Sequence, residues 1–176
     1  GTLHHLYFTG TPTAVIALGA VFSALEVVPL ALIGIEGYRT YQRSRAAPWV
    51  ATYRWPILCF VAVGFWNVVG AGLLGFTINP PASLYFVQGL NLTAAHGHAA
   101  LFGVYGMLGI GLLLFCLRGL YPASRHAERL LAPAFWGLNA GLAMMVFLSL
   151  LPAGIYQAVA SITEGLWYAR SPAMVH

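Results

Sequence analysis

Four apolar runs, each long enough to cross a bilayer as a helix, limit what this chain can fold into. They cover about residues 13–38, 55–76, 92–117 and 130–160. About 20 residues rising 1.5 Å each suffice for a hydrocarbon core of about 30 Å. In lipid a backbone segment must satisfy its own hydrogen bonds, so such runs are helices. The fold expected is therefore an all-α integral membrane protein, an antiparallel bundle of four transmembrane helices. Composition agrees: 60% of residues are hydrophobic and 7% charged, against roughly a quarter charged in soluble domains. A mean hydropathy of +0.79 excludes a soluble globule.

The charges that remain report topology. All eight cationic side chains are Arg, all four acidic ones are Glu, and the net charge is +4. Arg39, Arg43, Arg45 and Arg54 lie between the first two runs, and Arg118, Arg125 and Arg129 between the last two. The positive-inside rule puts both connections on the cytoplasmic side, so the first run passes from outside to inside. Trp49, Tyr53 and Trp55 read as interfacial anchors. No basic face exists that would neutralise a row of phosphates, which excludes a nucleic-acid partner; the bilayer is the partner that composition requires. Asn79-Pro80-Pro81 ends the second helix, and Pro152 is expected to kink the fourth. Cys59 and Cys116 sit in apolar runs, as small hydrophobes do. The start, Gly1-Thr2-Leu3-His4-His5, has neither an initiator Met nor a charged stretch ahead of an apolar one, so the expectation is an internal fragment of a longer chain.

Ionisable groups inside apolar runs are costly, and each is a candidate functional residue. In Ala94-Ala95-His96-Gly97-His98-Ala99-Ala100 the two imidazoles are two residues apart, hence about 200° apart around a helix. They cannot share one metal. Each can ligate a separate large cofactor on opposite faces of one helix, where small neighbours admit a flat macrocycle, the spacing expected of two haems. The bland alternative is a pair of hydrogen-bonded histidines beside small residues that permit close packing. His4-His5, just before the first run and on the outer side, can turn towards one ion if the backbone bends, since imidazole suits iron, copper and zinc. Glu26, in Phe22-Ser23-Ala24-Leu25-Glu26-Val27-Val28-Pro29, is a candidate for proton relay or metal support, against a neutral carboxyl at a helix interface. Its depth is a difficulty. Counted from Thr13 it lies about 20 Å along its helix, whereas His96 lies about 6 Å past Leu92. For the two to be neighbours, either the third helix starts earlier or the first starts well outside the membrane.

His4-His5-Leu6-Tyr7, Phe22-Ser23-Ala24-Leu25-Glu26 and Ala94-Ala95-His96-Gly97-His98 resemble the nitric oxide reductases of the haem-copper oxidase superfamily over essentially the whole chain. Ile78-Asn79-Pro80-Pro81 and Gly165-Leu166-Trp167-Tyr168-Ala169-Arg170-Ser171 are similar to the quinol-dependent branch. The resemblance implies four helices of a larger fold of twelve to fourteen, in a bacterial inner membrane, with the metal-site residues towards the outer face. It implies that His96 is the proximal ligand of a high-spin, b3-type haem and His98 an axial ligand of a low-spin haem b. His4 and His5 would be ligands of a non-haem iron, with Glu26 beside it. The other ligands would come from N-terminal helices of the same subunit, upstream of Gly1, and the fragment alone would be inactive. Electrons would come from quinol or cytochrome c.

Two other readings stand beside this one. An oxygen-reducing haem-copper terminal oxidase would share the histidines but hold copper, against which the hard carboxylate of Glu26 argues. A transporter or non-catalytic bundle would use the histidines for proton relay or packing, but the chain lacks the paired discontinuous helices of transporter halves.

Overall fold

The structure, a computed structural model, describes Leu6, residues 9–121 and residues 125–175. His4 and His5 lie outside the described residues. Four long helical spans run Thr13–Ser44, Arg54–Ile78, Asn91–Leu120 and Glu128–Thr163. Each extends past its apolar run, because helical winding continues into the polar ends where hydropathy falls. No strand occurs among the described residues.

The first span is bent at its centre. Its helix runs Thr13–Ala24 and resumes as Val27–Ser44. Pro29 has no N–H to offer the carbonyl of Leu25, and the Val28 N–H takes it instead at 3.1 Å. The tightened turn holds Leu25 and Glu26. The upper half buries Ile16, Ala20 and Ser23, while no residue of Val27–Ser44 is buried. At 32 residues the span is about 48 Å long, well beyond a hydrocarbon core of about 30 Å. Arg39 and Arg43 therefore reach past the lipid tails.

The second and third spans form the centre of the bundle through small residues at every fourth position. Ala99 packs on Gly70, where an added Cβ would fall 2.5 Å from the Ala99 Cβ. Gly103 packs on the ring of Trp66, also 2.5 Å from an added Cβ, and Gly111 on Phe60 and Cys59. Residues Asn67–Leu74 and Ala99–Gly106 are both wound as π-helix and lie against each other. A regular α-helix carries an every-fourth stripe round by about 40° per step, and the wider π turns carry it back the other way, so the two windings along each span offset one another. A third π-wound stretch, Met144–Leu150, precedes Pro152. The looser turn accommodates the missing N–H of that proline.

Polar ties fasten the bundle in mid-span and at its arginine-rich end. In mid-span, Trp66 donates Nε1–H to Asn139 Oδ1 at 2.9 Å, and the Asn139 amide donates to the Phe135 carbonyl at 2.9 Å. This joins the second and fourth spans beside the buried Met107 of the third. At the arginine-rich end, Glu128 accepts from Trp55 Nε1 at 2.5 Å and pairs with Arg118, while the Arg54 guanidinium lies 4.6 Å from the Trp55 ring centroid.

If the second and third spans meet through absent side chains, Gly70→Val should lower the unfolding temperature of the full-length protein in detergent, by a free-energy cost of about 1–3 kcal/mol for overpacking. Gly109→Ala, whose added Cβ meets nothing within 4 Å, should not lower it. Equal unfolding temperatures for the two variants would contradict the packing.

Candidate functional site

The first turns of the third span carry both membrane histidines, and the chain fixes that helix start heavily. Gly89 turns the backbone at a φ of +76°, a region that favours glycine. Thr93 Oγ1 donates to the Val87 carbonyl at 3.0 Å and accepts from the Gly89 N–H at 3.2 Å. Gln157 of the fourth span accepts the Asn91 N–H at 2.9 Å, capping an amide the helix cannot satisfy itself. Ser161 donates to the Phe86 carbonyl at 2.8 Å, and the Arg170 guanidinium donates to the carbonyls of Leu166 and Gln88. A Cβ at Gly154 would lie 2.5 Å from the Leu92 nitrogen, so the fourth span is pressed against this helix start.

His96 is half-buried and turned to the second span, with Nδ1 2.8 Å from the Gly70 carbonyl oxygen. A carbonyl only accepts, so Nδ1 carries the proton and Nε2 holds the lone pair. The same close approach that seats Ala99 on Gly70 delivers this carbonyl. His98 is exposed, and its Nδ1–H goes to the Ala94 carbonyl of its own helix at 2.9 Å. Its Nε2 likewise holds the lone pair. Donating Nδ1–H to a carbonyl is how metal-ligating imidazoles are oriented and made more basic.

Glu26 is exposed on the turn between the halves of the first span. Its neighbour Val27 meets the second span at Gly72, where an added Cβ would be 3.6 Å from Val27 Cγ2. Gly72 lies between Gly70 and Gly75, the two glycines against His96, so Glu26 and His96 occupy one level of the bundle. The depth difficulty is resolved by the first span. Its upper half, Thr13–Ala24, packs on Gly75–Ile78 and on the short helix Pro81–Val87, beyond the level of His96, while the third helix begins at Asn91. His126 lies at the other end of the bundle, in the helix that begins the fourth span. Among the described residues no three His, Cys, Asp or Glu side chains converge as a metal cluster.

Whether these residues suit a haem can be tested on their surroundings. Both imidazoles commit Nδ1 to a carbonyl, the arrangement that orients an imidazole as a ligand, and neutral imidazole is an established axial ligand for haem iron. Beside His96 is a notch at Gly75, where an added Cβ would sit 3.1 Å from His96 Cε1 and 3.5 Å from Asn79 Nδ2. Asn79 is 3% exposed, and its Oδ1 has no hydrogen-bond partner among the described residues. A polar atom so placed next to a candidate ligand fits a site built for more than hydrocarbon packing. Between the histidines the Gly97 position opens on space. The residues fit the group.

Residues 1–174 match the family model described as cytochrome c and quinol oxidase polypeptide I. The chain belongs to that family. It is also 33% identical over 178 residues to a nitric oxide reductase subunit of Stutzerimonas stutzeri, a match covering 98% of this chain and 35% of the relative. The chain thus spans about a third of the length of the curated relative it matches. Within this member of the cytochrome c and quinol oxidase polypeptide I family, several polar groups that shape the site or fasten the bundle are not the ones the sequence brings forward. Asn79, Asn139 and Gln157 are polar residues in or beside apolar runs, a signal the sequence does carry, but a weaker one than an ionisable group gives. Glu128 is hidden among basic loop residues. The Gly70 carbonyl carries no sequence signal as an acceptor.

Nitrogen-15 NMR of the haem-free protein labelled at histidine should show His96 and His98 as Nδ1–H tautomers. An Nε2–H tautomer at His96 would contradict the bond to Gly70.

Proposed function

We propose that this chain is part of a membrane nitric oxide reductase that converts two NO, two electrons and two protons to N2O and water. The observation that carries the reading is the pair of imidazoles on one helical turn, one turned inward and one outward, each with Nδ1–H committed to a carbonyl. Identity to a nitric oxide reductase subunit along nearly the whole chain supports it.

His96 would be the proximal ligand of the high-spin haem, held at fixed orientation by Gly70. His98 would be one axial ligand of the low-spin haem b on the other face. His4 and His5 would ligate the non-haem iron, and Glu26, at the level of His96, would set a carboxylate beside it. When bound, the two haems and the non-haem iron supply the electron transfer and the binding of NO. One helix bearing both haem ligands fixes the separation of the two haems, whatever the surrounding helices do. The remaining ligands would come from N-terminal helices of the same subunit. The exposed Val27–Ser44 half of the first span and the exposed His98 face suit cover by such helices. Quinol or cytochrome c would supply electrons, in a bacterial inner membrane with the metal site towards the outer face, as the arginine-rich connections at the opposite end of the spans suggest.

An oxygen-reducing oxidase is the second reading, favoured by the description of the family itself. Metal analysis separates the two, since the proposal requires iron where the oxidase would hold copper. In the full-length protein His98→Ala should abolish the low-spin absorbance and His96→Ala the high-spin absorbance, each with loss of N2O formation from NO. Retention of both haem signals in His98→Ala would overturn the ligand assignment.

A further inference from the structure

We propose that Asn79 is a positioning residue for the imidazole of His96, acting across the notch left by Gly75. The inference rests on the reading of His96 as a haem ligand and extends it to a residue outside the ligand set.

Asn79 is the last residue before the helix break at Pro80-Pro81. Its backbone N–H still bonds to the Gly75 carbonyl at 2.9 Å, so it sits one turn above Gly75 on the same helix. It is 3% exposed. At such a site an apolar side chain would pack without cost, whereas a carboxamide brings an oxygen that has no partner among the described residues. What the carboxamide touches gives it a use. A single methyl at Gly75 would lie 3.1 Å from His96 Cε1, 3.6 Å from His96 Nδ1 and 3.5 Å from Asn79 Nδ2. The imidazole edge and the amide therefore border the same small space, and glycine keeps it open for both.

The ring of His96 is then held at two places. Gly70 takes the proton at Nδ1, and Asn79 borders the Cε1 edge, the carbon between Nδ1 and Nε2. Cε1 adjoins Nε2, so whatever limits the swing of that edge also limits the direction of the Nε2 lone pair. The bond to Gly70 alone leaves the ring able to pivot about its Nδ1–H axis. An amide bordering the same notch as the neighbouring edge limits that freedom. The amide dipole beside the ring also alters how well the imidazole donates electrons to a metal. Which amide end faces the ring is set by the surrounding hydrogen bonds, and either end presents a dipole there.

The test uses the full-length, haem-loaded protein and reads the high-spin haem directly. Asn79→Leu keeps the size and removes both polar ends; Gly75→Ala fills the notch with one methyl. Resonance Raman of the ferrous protein gives the iron–histidine stretch, and redox titration gives the midpoint potential of the high-spin haem. Both variants should retain two haems per chain and an unchanged low-spin spectrum while shifting the stretch and the potential. An unchanged stretch and potential in Asn79→Leu would overturn the positioning role, with the ligand assignment intact. Should Asn79→Leu fail to accumulate, Asn79→Ser, smaller and still polar, decides in its place, because the methyl of Gly75→Ala meets His96 itself. If the stretch persists in His96→Ala, the ligand reading itself is wrong and the inference falls with it.

Discussion

The contact between Gly70 and Ala99 is the interaction on which the rest of the bundle depends. Only at glycine can the second and third spans come this close, since a Cβ at Gly70 would lie 2.5 Å from that of Ala99. In a membrane, helices gain little from hiding apolar surface from one another, and close van der Waals packing of small residues replaces that gain. Here the close approach has a chemical by-product. It brings a backbone carbonyl to within 2.8 Å of His96 Nδ1, which commits that nitrogen as the donor. Packing and site chemistry share Gly70, and the π turns on both helices offset the drift of the small-residue stripe around the axis.

Much of the architecture was legible from hydropathy, because lipid permits a long apolar run almost no other form than a helix. His96 and His98 were legible for the same reason: a titratable group in hydrocarbon calls for an explanation. The turn at Glu26 was legible only in part. A proline three residues after Glu26 interrupts the helix ladder, but the level at which Glu26 would lie depended on where the first helix starts relative to the short helix Pro81–Val87, a tertiary relation that residue counting does not reach. The Gly70 acceptor and the Gly75 notch could not be read from sequence at all, since a backbone carbonyl looks alike at every position. The bond between Asn139 and Trp66 is of the same kind, a link across 73 residues.

Stability and function are arranged at different depths. The Arg118–Glu128 pair and Trp55 fasten the arginine-rich end, Asn139 and Trp66 the middle, and Gln157, Ser161 and Arg170 the histidine end. Three ties at the histidine end come from the fourth span and the segment after it, so that span acts as a brace for the helix that carries the ligands. The first span, half of it without a buried residue, is the least engaged within this chain, and it is the one that brings Glu26 to the level of His96.

The central claim is that one helix serves two haems from opposite faces, beside a centre that binds nitric oxide. A visible absorbance spectrum of the full-length ferrous protein, with and without nitric oxide, tests it most directly. The account predicts one low-spin and one high-spin b-type haem, with nitric oxide changing only the high-spin component. A protein with a single haem, or none, would contradict it.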